Sequence, residues 1–280
     1  MTTRVGPAGW SYTDWEGIVY PPHGSRFDHL AYLADFFDTI EINSPFYRIP
    51  PVTHAKSWIR RVGANREFKF TTKVYRGFTH EKAPIAPDEI KAFRNYLDPL
   101  MDADRLGAIL LQFPWSFKDS EGSRDRIAAL LEAFDAYPAA VEVRHASFQT
   151  DDFARFLDER QSAFVMVDQP LFADSVKPAA SVTSGRGYVR LHGRNYEKWF
   201  AHEESWERYN YLYTEKELDP WVERINSMEA KDVYVITNNH FRGQAIVNAG
   251  DLKHALGQGG KVPPQLVEVY GASRLRYAVP

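Results

Sequence analysis

Eight short apolar or β-branched runs recur along the chain, at 4–8, 39–42, 68–72, 107–113, 140–144, 164–168, 188–192 and 233–237. Helix-period stretches lie between most of them, and this alternation constrains the fold more than any other feature. Strands separated by helices run parallel, and their crossovers lay the helices over the sheet. The helical stretches carry their own punctuation. At 27–37 the apolar positions Leu30, Leu33, Ala34 and Phe37 share one face, and the stretch 54–62 follows Thr53 as an N-cap. Further helices are expected at 88–101 after Pro87, at 124–136 after Ser123 and at 151–160 after Thr150. Thr214-Glu215-Lys216-Glu217 reads as a capping box opening a helix that runs to Met228, and a helix at 243–256 stops at Gly257. The crossover at 169–186 differs: its two Pro and four Ser or Thr make it a loop.

Eight such units in 280 residues suit a single (β/α)8 TIM barrel, typically about 250 residues long. We expect one domain over 1–280, with a barrel core at about 4–257 and a tail at 258–280 packed on the outside. The competing fold, an open doubly wound sheet, usually carries a glycine-rich first turn. The chain has neither GxGxxG nor a Walker A motif.

Composition narrows the chemistry. The chain has no Cys, which excludes disulfides, thiol nucleophiles, thiolate zinc sites and protein-ligated iron–sulfur clusters. Lys and Arg number 34 against 37 Asp and Glu, so no broad basic field draws nucleic acid or an anionic membrane. No window approaches the ~18 uninterrupted apolar residues of a membrane span. Met1 to Pro7 shows no apolar leader, and the expectation is a cytoplasmic protein.

In a barrel the site forms where the strands end, from side chains that alternate inward and outward. Polar residues recur there at spacing two: Glu41 and Asn43, Glu142 and Arg144, Arg190 and His192, Asn238 and His240. The intervening Ile42, Val143, Val189 and Leu191 then face the helices, and the polar pairs face the mouth. Gln112 and Asp168 end the fourth and sixth strands and join the set, with Lys73 beside them. Desolvating so many charges costs several kcal/mol each unless pairing is complete, so the cluster reads as a site.

Longer motifs carry a resemblance. Gly9-Trp10-Ser11-Tyr12, Trp15-Glu16-Gly17, Tyr20-Pro21, Glu41-Ile42-Asn43-Ser44, Phe46-Tyr47 and Thr79-His80 belong to it. So do Gln112-Phe113-Pro114, Glu142-Val143-Arg144-His145, Arg190-Leu191-His192-Gly193-Arg194 and Asn238-Asn239-His240. Together they resemble the YecE-like family, domain of unknown function 72, from about Val5 to about Leu256. The resemblance implies a TIM barrel and brings no reaction with it. Pro7-Ala8 and Ile236-Thr237 depart from the shared pattern.

The charges of the expected mouth nearly balance. Glu41, Glu142 and Asp168 stand against Lys73, Arg144 and Arg190, with Arg194 just beyond. The carboxylates therefore need no metal, and no cofactor is expected. His145, His192 and His240 remain for proton transfer or hydrogen bonding. The expected function is acid–base chemistry of hydrolase or isomerase type on a small anionic or polyhydroxylated substrate. Glu142 or Asp168 serves as general base, a His (His192 or His240) as acid, and Glu41 completes the catalytic set. Asn43, Tyr47, Lys73, Gln112, Arg144, His145, Arg190, Arg194, Asn238, Asn239, Trp10 and Tyr12 bind the substrate.

Three alternatives use the same residues. A divalent metal on Glu41, Glu142, Asp168, His192 and His240 gives a phosphodiesterase-like barrel, although the chain lacks HxH and HExxH and the arginines oppose a cation. A glycosidase needs two carboxylates flanking a sugar, with Trp10, Tyr12, Trp15, Phe46, Tyr47 and Trp115 as platforms. A nucleic-acid-binding barrel would use the aromatics for stacking and Arg and Lys for phosphates, against the net charge of -3. The mixed-charge segments 118–126 and 202–207 read as solvated loops.

Overall fold

Each of the eight runs pairs as a parallel strand: β1 (Thr2–Pro7), β2 (Thr39–Ile42), β3 (Lys69–Lys73), β4 (Leu106–Gln112), β5 (Ala139–Glu142), β6 (Ser162–Asp168), β7 (Arg186–Leu191) and β8 (Asp232–Thr237). The computed structural model describes residues 1–22, 24–204, 206–271 and 274–275. Neighbouring strands run in the order β1-β8-β7-β6-β5-β4-β3-β2. The seam between β1 and β2 is bridged by Ala8 against Glu41, where the Gly9 amide donates to the Glu41 carbonyl at 2.8 Å. The result is a nearly closed (β/α)8 barrel. Gly6 permits that closure: a Cβ there would lie 1.8 Å from the Thr39 carbonyl oxygen.

The helices are α1 (His29–Ala34), α2 (Val52–Arg61), α3 (Arg76–Thr79), α4 (Pro87–Asp102), α5 (Glu121–Ala133), α6 (Asp151–Asp158), α7 (Glu215–Asn226), α8 (Gln244–Ala255) and α9 (Leu266–Tyr270). Caps explain most boundaries. Thr150 accepts from the Phe153 amide at 3.1 Å, and Thr214 with Glu217 forms the capping box of α7. Three starts differ from expectation: α1 opens at His29 rather than 27, behind Asp28, which accepts from the Ala31 amide at 3.0 Å. Ser120 caps α5 by accepting from the Ser123 amide, so that helix opens before 124, and α2 opens behind Pro51 rather than Thr53. The crossover at 169–186 holds no helix, as its Pro and Ser/Thr content requires. In the tail, Val262, Leu266 and Leu275 are buried in the main core, and Tyr32 donates to Gln265 at 2.9 Å. Residues 272–273 and 276–280 of the expected tail lie outside the described residues.

Strand alternation sorts the core into two parts. Ile42, Val143, Val189 and Leu191 belong to the cluster between barrel and helices. Ala8, Ala108, Leu110, Ala140, Ala163, Val165, Tyr188, Tyr234 and Ile236 fill the barrel interior. Above that plug, toward the strand C-termini, the inward residues turn polar.

Candidate functional site

The first polar layer is a buried ion-pair floor. Arg190 of β7 donates through Nε and NH2 to Glu41 of β2 at 3.0 and 2.6 Å, and through NH1 to Glu142 of β5 at 2.6 Å. Arg144 donates to the other oxygen of Glu142 at 2.8 Å. Tyr188 donates to Glu41 at 2.9 Å and stands as close to the Thr71 hydroxyl. Glu41 and Glu142 are 0% exposed and Arg190 is 1% exposed, so the charges persist only because each is matched. Burial opposes ionisation of Glu142, but the Arg190 and Arg144 guanidiniums outweigh it and hold the carboxyl well below its usual range.

His192 completes the floor. Its Nε2 accepts from Arg144 at 3.1 Å, and its Nδ1 lies 2.9 Å from the Asn238 side-chain amide. Burial, reinforced by the Arg144 charge, lowers its pKa to about 3, so the ring is neutral.

Over this floor opens a cavity of about 760 Å³. Its charged side chains are Lys73, Arg144 and Arg208, joined by His80, His202 and His240, and no carboxylate lines it. Tyr12, Phe46, Tyr47, Trp115, Trp199 and Phe200 form much of the wall, and Asn43, Gln112 and Asn238 add amides. Lys73 donates to Gln112 at 3.1 Å and stands 4.3 Å over the Phe46 ring. Tyr12 stacks on His240 at 4.4 Å, and burial lowers the His240 pKa to about 4. Burial, followed by the Lys73 charge, lowers His80 to about 4 as well. Several buried polar atoms of the wall have no hydrogen-bond partner among the described residues: Asn43 Oδ1, Trp115 Nε1, Arg208 Nε and His240 Nδ1. Unpaired donors and acceptors of this kind are costly unless a ligand or water meets them.

The mouth thus gathers Glu41, Asn43, Tyr47, Lys73, Gln112, Glu142, Arg144, Arg190, His192, Asn238, His240 and Tyr12. Five expected residues stand elsewhere. Asp168 points outward, where it accepts from Trp221 Nε1 at 2.7 Å, from the Tyr213 hydroxyl at 2.7 Å and from Arg194 through two bonds. It is a buried knot holding β6 to α7 and the β7–α7 loop, and it takes Arg194 with it. Asn239 braces β8 to α8 through Asn248 at 2.8 Å. His145 turns to Ser147 at 2.9 Å, and Trp10 packs edge-on against Trp58 at 5.5 Å.

The structure adds residues that the sequence did not single out. Arg208 and His202 come from the loop between β7 and α7, which runs from 192 to 214 and hydrogen-bonds within itself through Arg208 and His202. Segment 202–207 is therefore not merely a solvated loop. Its length was the available signal, because long βα loops of a barrel overhang the site.

A (β/α)8 barrel with a polar site at its C-terminal mouth is the class that fold and geometry define. The chain belongs to the family described as Protein of unknown function DUF72, whose family model matches residues 4–268. It is 26% identical over 281 residues to the UPF0759 protein YunF of Bacillus subtilis, covering 94% of this chain and 98% of that protein. Its fold is similar to that of a DUF72 family protein from Thermotoga maritima, with TM-score 0.81, 32% identity and coverage of 92% of this chain and 100% of the other. A second DUF72 family protein, from Enterococcus faecalis, gives TM-score 0.79 and 27% identity, with coverage of 91% and 96%. The resemblance read from the motifs is borne out.

The donor set also bears on metals. Among the described residues, no three His, Asp or Glu converge as a metal-ligand group. The oxygens of Glu41 and Glu142 are already engaged by guanidiniums, so the carboxylate–imidazole set weighed from the sequence does not fit a divalent ion. No described helix is long and apolar enough to cross a membrane.

Proposed function

We propose that the mouth binds a small anionic, polyhydroxylated molecule and performs proton-transfer chemistry on it, of isomerase or hydrolase type. One observation carries the reading: every charged side chain lining the cavity is cationic, while the nearby carboxylates lie beneath it, buried and neutralised. Two carboxylates against two guanidiniums leave the floor neutral, so Lys73 and Arg208 give the cavity uncompensated positive charge. An anion supplies the missing partner. The amides and the phenol of Tyr12 suit hydroxyl groups, and the aromatic wall suits the apolar face of a sugar-like carbon chain.

The proton acceptor shifts accordingly. Glu142 is a weak base, because its charge is stabilised at both oxygens, and Asp168 faces the helices. His240 is the imidazole in place to exchange a proton with the ligand: its ring is neutral and lines the cavity. A glycosidase pair would need two carboxylates reaching the sugar, and Glu41 and Glu142 are both committed to Arg190 below the cavity.

Thermal shift with inorganic phosphate, 6-phosphogluconate and neutral glucitol tests the reading. The two anions are expected to raise the melting temperature in a dose-dependent manner, with glucitol far weaker. Arg208→Ala removes one charged hydrogen bond of about 1.5–3 kcal/mol and should weaken 6-phosphogluconate roughly ten- to a hundredfold. Stabilisation by glucitol alone, or anion affinity indifferent to Arg208, contradicts it.

A further inference from the structure

Lys73 is unlike the other lysines that anchor the fold. Lys69, Lys198 and Lys253 meet Asp104, Glu207 and Asp38 at 2.5, 3.1 and 3.0 Å. Lys73, half-buried at the end of β3, has no carboxylate within salt-bridge distance among the described residues. The two acids below it are engaged by Arg190 and Arg144. Its amine instead meets a neutral amide oxygen and an aromatic face inside the cavity. The Phe46 face favours the ammonium only modestly, and no ion pair among the described residues fixes the amine in that form. A lysine placed beside other cations in a partly dry site is the setting in which an amine becomes a nucleophile.

We propose that Lys73 is a covalent nucleophile, forming an imine with the carbonyl carbon of an aldehyde or ketone held in the mouth. The inference rests on the reading of the mouth as an anion site and adds a carbonyl to the ligand. Burial, followed by the Arg190 charge, lowers the Lys73 pKa to about 8, so an appreciable fraction is the free amine near neutral pH. The Nζ lone pair attacks the carbonyl carbon, a C–N bond forms and the C=O π pair moves to oxygen. One proton passes from nitrogen to that oxygen, and a second, the one the ammonium gave up to free the lone pair, joins it so that it leaves as water. The ammonium and the carbonyl compound together become one protonated imine and one water, with no oxidant or reductant consumed. His80, close enough for the Lys73 charge to depress it, is a neutral imidazole suited to carry that proton. The resulting cationic imine is an electron sink for loss of a proton from the adjacent carbon. That is the step isomerising and carbon–carbon-cleaving enzymes require.

Reductive trapping tests the proposal. The full chain is incubated with glyoxylate, an anionic aldehyde, or with neutral dihydroxyacetone, each with cyanoborohydride, and modified lysines are mapped by peptide mass. Lys73 is expected to be labelled at least tenfold faster than the exposed Lys56, and Lys73→Arg to lose that label while Lys56 still reacts. Labelling of Lys73 no faster than Lys56 with both carbonyl compounds overturns the proposal, whatever phosphate does to stability. Suppression of Lys73 labelling by phosphate supports the anion site as well. Rapid labelling by dihydroxyacetone without any phosphate effect keeps the imine and removes the anion reading.

Discussion

Replacing Arg190 by Met is expected to destabilise the protein by about 3–5 kcal/mol, measured by urea unfolding at pH 7. The guanidinium makes three bonds to two carboxylates, and Met fills similar volume without charge. Glu41 is left buried with only the Tyr188 phenol, and Glu142 keeps Arg144 and the His192 ring, whose Nε2 lies 3.4 Å away. The loss measures uncompensated buried charge rather than lost packing, so it should shrink in acid. The wild-type protein has a related pH signature. The folded-state Glu142 carboxyl titrates well below its usual 4.5, so its ionised form adds stability above that value. The contribution disappears as pH falls through the lower, folded-state value. A substituted protein as stable as wild type would mean the floor is not a closed ion-pair network.

Asp168→Ala is expected to cost a similar 3–5 kcal/mol, with phosphate-induced stabilisation unchanged in size. The substitution strands Trp221 Nε1 and the Tyr213 hydroxyl in a buried junction and leaves the partly exposed Arg194 only Glu217, at 3.6 Å. None of those groups lines the cavity. Unfolding of the variant with and without phosphate separates the two effects: a large stability loss places Asp168 in the scaffold. Loss of the phosphate response with stability intact would return it to the site.

Asp168 also shows where the sequence became unreadable. Glu41 and Asn43, Glu142 and Arg144, and Arg190 and His192 alternate with apolar residues, so period two assigns their face without coordinates. β6 reads Ser-Ala-Phe-Val-Met-Val-Asp and is buried on both faces, so nothing in it marks parity. The structure puts Ala163 and Val165 inside the barrel, and Asp168, of opposite parity, faces the helices. Asn239, taken from the sequence as a substrate contact, falls between Asn238 and His240, and the same period points it the other way, to Asn248. Arg208 and His202 were out of reach for a different reason. A loop from 192 to 214 has no periodicity, and only its fold over the mouth brings those side chains to the cavity lined by Lys73 and Arg144.

The floor commits the carboxylates that look catalytic in sequence to pairing with guanidiniums. Glu41 and Glu142 hold Arg190 and Arg144 in place, and burial together with these charges keeps His192 neutral. Fixed charge below and unpaired charge above is a preorganised arrangement, because the lining cations need not move to meet an anion.

The most direct measurement is a crystal soaked in selenate, with the anion located by its anomalous signal. Selenate is predicted to occupy the mouth within hydrogen-bond distance of Lys73, Arg144 and Arg208. A mouth without selenate in crystals where Mn2+ binds Glu41 and Glu142 would contradict the cationic site and restore a metal to it.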